Sequence, residues 1–341
     1  MPPARTLLFA TKPYSIAVLQ PVQKAVLKVG GTVRWFLSGQ AREFSAPGET
    51  LDTSTQVLDF KPEAVLAPGN VVPYQWPGLK VQIFHGLGEE KPGHYRITGF
   101  FDLYCTPGPH MTRHFEKLAR RHGHFLVHET GWPKLDALAQ PVERTAARQA
   151  LGLDPERPVL LYAPTFSPRF TSATDLLPTI AGLQEPYQWL IKFHDLMAPA
   201  VKDAYQAQVG GQVVGPDQPD ILPLMQAADL LITDTSSVAY EYLLLDRPII
   251  TYCSAVRREK GIDIDRPEEL APAIERSLGA PEEFAVRRRE YLNDLHPWTD
   301  GRSAERVVTA VNEVLDTCAH LSLAPKPRNL WRKFQQRDLV S

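Results

Sequence analysis

The chain has 341 residues, 43% of them hydrophobic and 22% charged, and its formal net charge is −2. This balance is typical of a globular protein and excludes a general electrostatic preference for nucleic acid. The length exceeds what one ordinary core supports, so we expect two domains.

The cysteines and the apolar runs bear on the cellular compartment. Cys105, Cys253 and Cys318 are widely spaced and odd in number, which favours a reducing cytosol over a disulfide framework. The apolar patch near the N-terminus is only four residues long, too short for a signal peptide. Because no run approaches the roughly 18 apolar residues of a membrane span, we expect a cytoplasmic protein.

The first half of the chain alternates predicted strands and helices. Strands are predicted over residues 6–10, 32–37, 59–65, 79–84 and 101–106. The first two flank a helix over residues 15–29, and this βαβ opening predicts a parallel sheet. We therefore expect a Rossmann-like N-terminal domain over residues 1–145.

The fourth predicted strand runs directly into His85 and Gly86. In an open parallel sheet, ligands bind outside the carboxyl ends of the strands, so this imidazole lies where a substrate is expected. Histidine is suited to proton transfer near neutral pH, and a glycine beside it would let a substrate approach closely. Spacing alone leaves two interpretations open: a catalytic base, or a loop histidine with no role.

A basic helix is predicted over residues 111–122, and several histidines lie on or near it. His110 and His114 are four residues apart, a spacing that some metal sites use. No carboxylate or cysteine has matching spacing, and the neighbouring Arg and Lys side chains would repel a cation. We predict a solvated basic face here and no metal site.

The second half repeats the alternation after a turn-rich linker. The domain boundary is expected between residues 139 and 158. Strands are predicted over residues 159–162, 189–193, 212–214, 228–233 and 249–252. We assign a second Rossmann-like domain to residues 155–317 and a C-terminal tail to residues 318–341.

A polar turn follows the strand over residues 228–233, directly before a helix predicted over residues 238–245. Its members are Asp234, Thr235, Ser236 and Ser237. A helix N-terminus offers unpaired N–H groups and a partial positive charge, and the hydroxyls add donors. The turn is therefore suited to a phosphate or diphosphate. From this stretch alone, simple helix capping is an equally good explanation.

Two other strand ends in this half carry candidate site residues. The strand over residues 159–162 leads through a small polar loop to Thr165 and Phe166. The strand over residues 189–193 ends at His194. A second histidine therefore falls at the carboxyl end of a strand, beside the polar turn if the sheet is parallel.

The tail from Pro325 onward is basic, with five Lys or Arg residues against one acid, Asp338. Leu330, Trp331 and Phe334 are spaced to lie near one helical face. This composition fits contact with an anionic membrane surface. It also fits a helix that packs back across the first domain.

Six motifs follow one another along the chain. They are FHG with a following lysine at residues 84–91, GWPKLD at 131–136, YAPTF at 162–166, KFH at 192–194, TDTSSVAYEYLLLDRPII at 233–250 and DGRSAERV at 300–307. In these motifs and their order, the chain resembles the CDP-glycerol glycerophosphotransferase family, the teichoic acid polymerases and primases with their capsule-type relatives. The resemblance extends over most of the chain, from about residue 62 to residue 314.

The resemblance implies a fold and a set of partners. The fold is a GT-B architecture, in which two Rossmann-like parallel-sheet domains face each other across a cleft and the terminal helix returns to the first domain. The implied donor is CDP-glycerol or a similar CDP-linked polyol, and the implied acceptor is a polymer or a lipid-linked molecule. No metal, no cofactor and no nucleic acid is required. Lipid-linked acceptors and the basic tail together imply peripheral contact with the inner face of the cell membrane.

The resemblance also implies roles for particular residues. His85 would remove the proton of the acceptor hydroxyl, and His194 would hold the donor phosphates. Glu241 would accept the ribose hydroxyls, by analogy with other GT-B enzymes. The residues expected to bind the donor nucleotide and diphosphate are Thr165, Phe166, Asp234, Thr235, Ser236, Ser237 and Glu241, and those expected to bind the substrate are Gly86 and Lys91.

Departures from the family pattern keep other functions in view. His194 is followed by Asp195 where the family usually has proline, and Thr235 stands where it usually has an aromatic residue. One alternative is a GT-B glycosyltransferase with a UDP-, GDP- or CMP-sugar donor, and another is a nucleotide-sugar 2-epimerase. A third is a nucleotide- or polymer-binding protein without catalytic activity.

Overall fold

The computed structural model describes residues 4–88, 92–140, 142–209, 213–214 and 220–335. The chain forms two compact units. Unit 1 combines Met1–Ala137 with Asp294–Ser341, and unit 2 is the continuous segment Leu138–Asn293. The chain therefore leaves unit 1, builds unit 2 and returns.

Each unit is built on a parallel sheet. In unit 1 the strand order is β2-β1-β3-β4-β5-β6, with β1 Arg5–Ala10, β2 Thr32–Leu37, β3 Ala64–Ala67, β4 Leu79–Gln82, β5 Leu103–Thr106 and β6 Leu126–Glu129. In unit 2 the order is β11-β10-β9-β7-β8, with β7 Val159–Tyr162, β8 Gln188–Ile191, β9 Leu230–Thr233, β10 Ile249–Tyr252 and β11 Ile262–Ile264. The central strands are continuous buried apolar runs, as expected where both faces of a parallel sheet are covered.

Helices connect and cover these strands. Within the described residues they are α1 Tyr14–Lys28, α2 Ser54–Phe60, α3 Pro109–His122, α4 Arg144–Ala150, α5 Ala173–Gly182, α6 Pro199–Val209, α7 Leu222–Ala227, α8 Val238–Tyr242, α9 Leu270–Gly279, α10 Ala285–Leu295, α11 Ser303–Thr317 and α12 Leu330–Gln335. None of the described helices is both long enough and apolar enough to cross a membrane.

Several predicted elements were wrong at their ends. The strand expected over residues 59–65 begins only at Ala64, because Thr53 and Gln56 form a capping box that starts α2 instead. The helix expected over residues 238–245 is α-helical only to Tyr242 and continues as a 3₁₀ turn. Strands β6 and β11 were not predicted. Part of the strand predicted over residues 212–214 lies outside the described residues, and Val213 forms an isolated bridge with Ile191.

The last long helix, α11, packs within unit 1. Its buried face, which includes Val307, Val311 and Val314, packs against α1, and Glu305 forms an ion pair with Lys28 at 2.6 Å. Unit 2 ends at Asn293, whereas the second domain was predicted over residues 155–317. The return of this helix to the first domain, which the resemblance implied, is what the structure has.

The C-terminal tail is tied to unit 1 by polar contacts. Lys326 Nζ lies 2.6 Å from the Asp102 carboxylate. Asn329 and Arg332 each donate a hydrogen bond to the carbonyl oxygen of Thr98, both at 2.8 Å. The tail therefore packs on the first domain, which is one of the two alternatives that its composition left open.

Candidate active site

His85 lies at the carboxyl edge of the unit 1 sheet, just beyond β4. The residue before it, Phe84, has φ of 59°, the left-handed region that is costly for a bulky side chain. Phe84 is fully buried and packs edge-to-face on Phe115 with ring centroids 5.0 Å apart, which holds the backbone in this turn. The imidazole of His85, which follows this turn, is half-buried.

Both ring nitrogens of His85 have hydrogen-bond partners. Nδ1 lies 3.2 Å from the carbonyl oxygen of Pro68, and since a carbonyl only accepts, Nδ1 carries a proton. Nε2 lies 3.3 Å from Nε2 of His94, and the two rings are T-shaped with centroids 4.7 Å apart. In the neutral ring, Nε2 is therefore the nitrogen with the lone pair, as a general base requires.

The GWPKLD motif holds this turn through hydrogen bonds of Trp132. Trp132 donates from its indole Nε1 to the carbonyl oxygen of Phe84 at 3.3 Å. Its backbone N–H donates to Nε2 of the buried His296 at 2.9 Å. Burial lowers the pKa of His296 to about 4, so the ring stays neutral and keeps accepting this hydrogen bond. These residues hold the position of His85 and are themselves buried.

Asp136 joins two motifs that are far apart in sequence. Its carboxylate accepts hydrogen bonds from the backbone N–H groups of Ser303 and Ala304, at 2.9 and 2.8 Å. These are the first N–H groups of α11, so Asp136 caps that helix from a distant part of unit 1. Burial raises the pKa of Asp136, and these hydrogen bonds oppose the rise. These hydrogen bonds therefore link the GWPKLD motif to the DGRSAERV motif.

Asp234 organises the carboxyl edge of the unit 2 sheet. Its side chain, 1% exposed, accepts hydrogen bonds from the N–H of Thr165 and from the N–H and hydroxyl of Ser172, each at 2.9 Å. Burial raises the pKa of Asp234 to about 6, and the three hydrogen bonds oppose the rise. The carboxylate thus ties the loop after β7 to the turn after β9, and its contacts are with the protein.

The hydroxyl residues that follow Asp234 are arranged differently from a simple cap. Ser236 and Ser237 are half-buried, and Ser237, at the N-cap position of α8, makes no side-chain capping hydrogen bond. Thr235 is more deeply buried, and its Oγ1 accepts the N–H of Ala255 at 3.0 Å. Ser236 Oγ accepts the N–H of Val238, the first residue of α8, at 3.5 Å, so the capping contact comes from Ser236 and not from Ser237.

His194 lies on the same edge, three residues beyond β8. It is exposed, and its ring lies 4.4 Å from the ring of Phe166, centroid to centroid. Its Nδ1 accepts the backbone N–H of Leu196 at 3.1 Å, so in the neutral ring the proton is on Nε2. Strands β8, β7 and β9 are neighbours, which brings the loops carrying His194, Phe166 and the Asp234 turn to one edge.

Three other predicted site residues are Glu241, Gly86 and Lys91. Glu241 is only 6% exposed, within α8. Gly86 is buried and is not among the positive-φ glycines, so the unusual backbone geometry falls on Phe84. Lys91 lies outside the described residues. No group of three or more His, Cys, Asp or Glu suited to a metal ion occurs in the described part of the chain.

Sequence reasoning missed His94, which turned out to be the neighbour of His85. It lies in a short 3₁₀ turn, Pro92–Tyr95, and is 3% exposed. The only signal in the sequence was a second histidine nine residues after the first, and such a spacing has no periodic meaning. Its contact with His85 is a product of loop folding.

Comparison with known proteins identifies the family to which this chain belongs. A family model described as CDP-Glycerol:Poly(glycerophosphate) glycerophosphotransferase matches residues 85–313, about two thirds of the chain. The chain belongs to this family. The predicted resemblance is confirmed, and the match includes both His85 and His194.

The curated relatives of this member of the glycerophosphotransferase family include enzymes of teichoic acid synthesis. A teichoic acid glycerol-phosphate transferase of Staphylococcus aureus is 23% identical over 62% of this chain and 60% of its own length. A teichoic acid poly(glycerol phosphate) polymerase of Bacillus spizizenii is 26% identical over 45% of this chain and 41% of its own. A teichoic acid ribitol-phosphate primase of the same organism is 29% identical over 74% of each. The chain thus spans less than two thirds of the length of the first two relatives, 60% and 41%.

Solved structures confirm the predicted fold class, GT-B with two Rossmann-like parallel-sheet domains. The wall teichoic acid polymerase TagF has a TM-score of 0.71 at 17% identity, covering 94% of this chain and 90% of that one. A complex of S. aureus MnaA with UDP has a TM-score of 0.64 at 14% identity, covering 95% and 99%. At these identities the likeness concerns the fold.

Proposed function

We propose that this family member transfers a glycerol-phosphate, or a similar polyol-phosphate, from a CDP-activated donor to a hydroxyl of a cell-surface polymer or lipid-linked acceptor. The observation that carries the proposal is the pair of sheet edges. One holds a histidine whose lone pair is on Nε2, and the other holds a histidine whose proton is on Nε2 beside a hydroxyl-bearing turn. The first can act as the base that such a transfer needs, and the second as a hydrogen-bond donor to the phosphates.

The reaction requires one bond to form and one to break at phosphorus. The acceptor oxygen attacks the phosphorus that bears the polyol, and its proton passes to His85 Nε2. The bond from that phosphorus to the oxygen of CMP breaks, and CMP leaves with the electron pair. Positioning and charge compensation supply most of the catalysis in reactions of this kind.

The donor diphosphate is assigned to unit 2. His194 Nε2–H and the hydroxyls of Ser236 and Ser237 provide its hydrogen-bond donors. Phe166 lies against the His194 ring and limits its rotation. The hydrogen bond between Thr165 and Asp234 fixes the loop after β7. Thr235 acts through its hydrogen bond with Ala255. We assign Glu241 to the ribose hydroxyls, as the family resemblance implies. Gly86 and Lys91 are assigned to the acceptor side.

Peripheral membrane contact is assigned to α12. Leu330 and Trp331 are 75% and 72% exposed, Phe334 is 59% exposed, and the two aromatic rings stack at 6.3 Å. Basic side chains flank this apolar patch, which is the composition of helices that lie in an anionic bilayer interface on the cytoplasmic side. Co-sedimentation with phosphatidylglycerol vesicles tests this, and equal binding by Trp331→Ser/Phe334→Ser would contradict it.

A donor screen read by mass spectrometry tests the transfer itself. CDP-glycerol and CDP-ribitol are compared with UDP-, GDP- and CMP-sugars, and the released nucleotides are scored separately. Release of CMP from a CDP-polyol is expected. Release of a nucleoside diphosphate from a nucleotide sugar would indicate a glycosyltransferase, and isomerisation of a UDP-sugar without an acceptor would indicate an epimerase.

A further inference from the structure

The contact between His85 and His94 has a defined polarity. Because Pro68 fixes the His85 proton on Nδ1, the short Nε2–Nε2 contact is a hydrogen bond only if His94 Nε2–H donates to the lone pair of His85 Nε2. One nitrogen is therefore an acceptor and the other a donor, 3.3 Å apart. At rest, the base nitrogen of the proposed transfer is occupied by His94.

The turn that carries His94 is anchored to the sheet. Asn70 donates to the carbonyl oxygen of Gly93 at 2.7 Å, and the buried Gln82 of β4 donates to the Asn70 side chain at 2.6 Å. A chain of amides therefore runs from the strand before His85 to the residue before His94. The ring of Tyr14 also lies near His85, with ring centroids 5.7 Å apart.

We propose that the acceptor hydroxyl inserts between the two imidazoles and that His94 is a binding residue for that hydroxyl. This rests on the proposed function. The hydroxyl donates its hydrogen to His85 Nε2 and accepts His94 Nε2–H on one lone pair. The rings separate to admit one oxygen, and each ring nitrogen exchanges one hydrogen bond for another, so neither is left unpaired.

Insertion also orients the nucleophile. With its hydrogen on His85 and one lone pair on His94, the acceptor oxygen has its second lone pair directed elsewhere, available for attack on phosphorus. During transfer the O–H bond breaks towards His85 and the new O–P bond forms, while His94 keeps its proton throughout. The class of ligand is a primary or secondary alcohol.

The resting contact can be measured without turnover. In protein labelled with ¹⁵N-histidine, the N–H···N bond predicts a through-hydrogen-bond coupling between the Nε2 atoms of His85 and His94, with His85 in the Nδ1–H tautomer. Titration with glycerol 3-phosphate is expected to abolish the coupling and shift both rings. Absence of the coupling in the free protein, its survival at saturation, or a metal ion bound by the pair would each overturn the proposal.

Kinetics separate a binding role from a structural one. His94→Phe keeps a flat ring but removes the donor, and it should lower kcat/KM for the acceptor on the order of tenfold while the KM for CDP-glycerol is unchanged. His94→Gln places an amide N–H near the position of Nε2 and should recover most of that loss. The matched control is His124→Phe, a buried histidine of unit 1 whose Nδ1 faces the His122 carbonyl, where no change is expected.

The outcomes also distinguish this inference from the proposed function. Equal losses in the Phe and Gln variants, or a raised KM for the donor, would make His94 structural and overturn the insertion. If the wild type releases no CMP from any CDP-polyol, the proposed function fails. The coupling and its response to glycerol 3-phosphate then decide whether an alcohol binds between the rings.

Discussion

The two histidines at the two sheet edges present opposite chemical faces. His85 is half-buried and donates from Nδ1 to a carbonyl, which leaves a lone pair on Nε2. His194 is exposed and accepts an amide N–H on Nδ1, which leaves a proton on Nε2. One residue type thus serves as acceptor in unit 1 and as donor in unit 2, because the neighbouring backbone group selects the tautomer.

The scaffolds behind the two rings differ in the same way. In unit 1 neutral groups hold the turn, namely the Trp132 indole and the uncharged His296. In unit 2 a buried carboxylate, Asp234, holds it with three hydrogen bonds. Uncharged groups therefore hold the turn before His85, whereas a buried carboxylate holds the turn at the edge of unit 2.

The largest effect is expected from His85→Ala. Loss of the general base should lower kcat by about 10²–10⁴-fold with little change in the KM for the donor. Rates of CMP release with CDP-glycerol measure this, with circular dichroism to confirm folding. Near-normal turnover by a folded variant would show that His85 is not the base and would refute the contrast between the two histidines.

His194 should behave as a hydrogen-bond donor. His194→Ala is expected to lower kcat by about 10²–10³-fold, because a donor to the developing charge on phosphate is lost. His194→Gln keeps an N–H near the Nε2 position and should recover part of the rate, whereas Gln at position 85 should not. If Gln rescues both positions or neither, the opposite roles of the two rings are refuted.

His296 should make unit 1 sensitive to acid. Its pKa is about 4 in the folded chain against an ordinary value of 6.5, so the unfolded chain binds more protons between these values. The free energy of unfolding is therefore fully retained above pH 6.5 and falls by about 3 kcal/mol as the pH drops towards 4. Urea unfolding of wild type and His296→Gln measures this, and the variant should show a flatter dependence. Parallel pH profiles would contradict it.

Asp234→Asn should cost about 2 kcal/mol, since an amide NH₂ would face the Ser172 N–H or the Thr165 N–H and leave a buried donor unpaired. Asp195→Asn, an exposed carboxylate in the same unit, is the control and should be neutral. Urea midpoints measure both. A neutral Asp234→Asn would mean that the carboxylate does not hold this edge.

The sequence was sufficient for the features that depend on local order. The strand-then-polar-turn pattern placed His85, His194 and the residues 234–237 at sheet edges, and the motifs identified the family. It could not give the Asp136 cap of α11, because residues 136 and 303 meet only through the return of the chain. Nor could it show that Asp234 faces inward or that His94 meets His85, since both depend on loops closing over the strands.

The return of α11 to unit 1 makes the second unit an insertion. Leu138–Asn293 carries its entire sheet in one uninterrupted stretch, whereas unit 1 combines segments from both sides of that stretch. A fragment that stops at Ala137 would present the Asp136 carboxylate with no amides to receive it and leave the apolar face of α1 bare. Two co-expressed fragments, split within unit 2, should therefore associate through the Asp136 cap and the packing of α11 on α1.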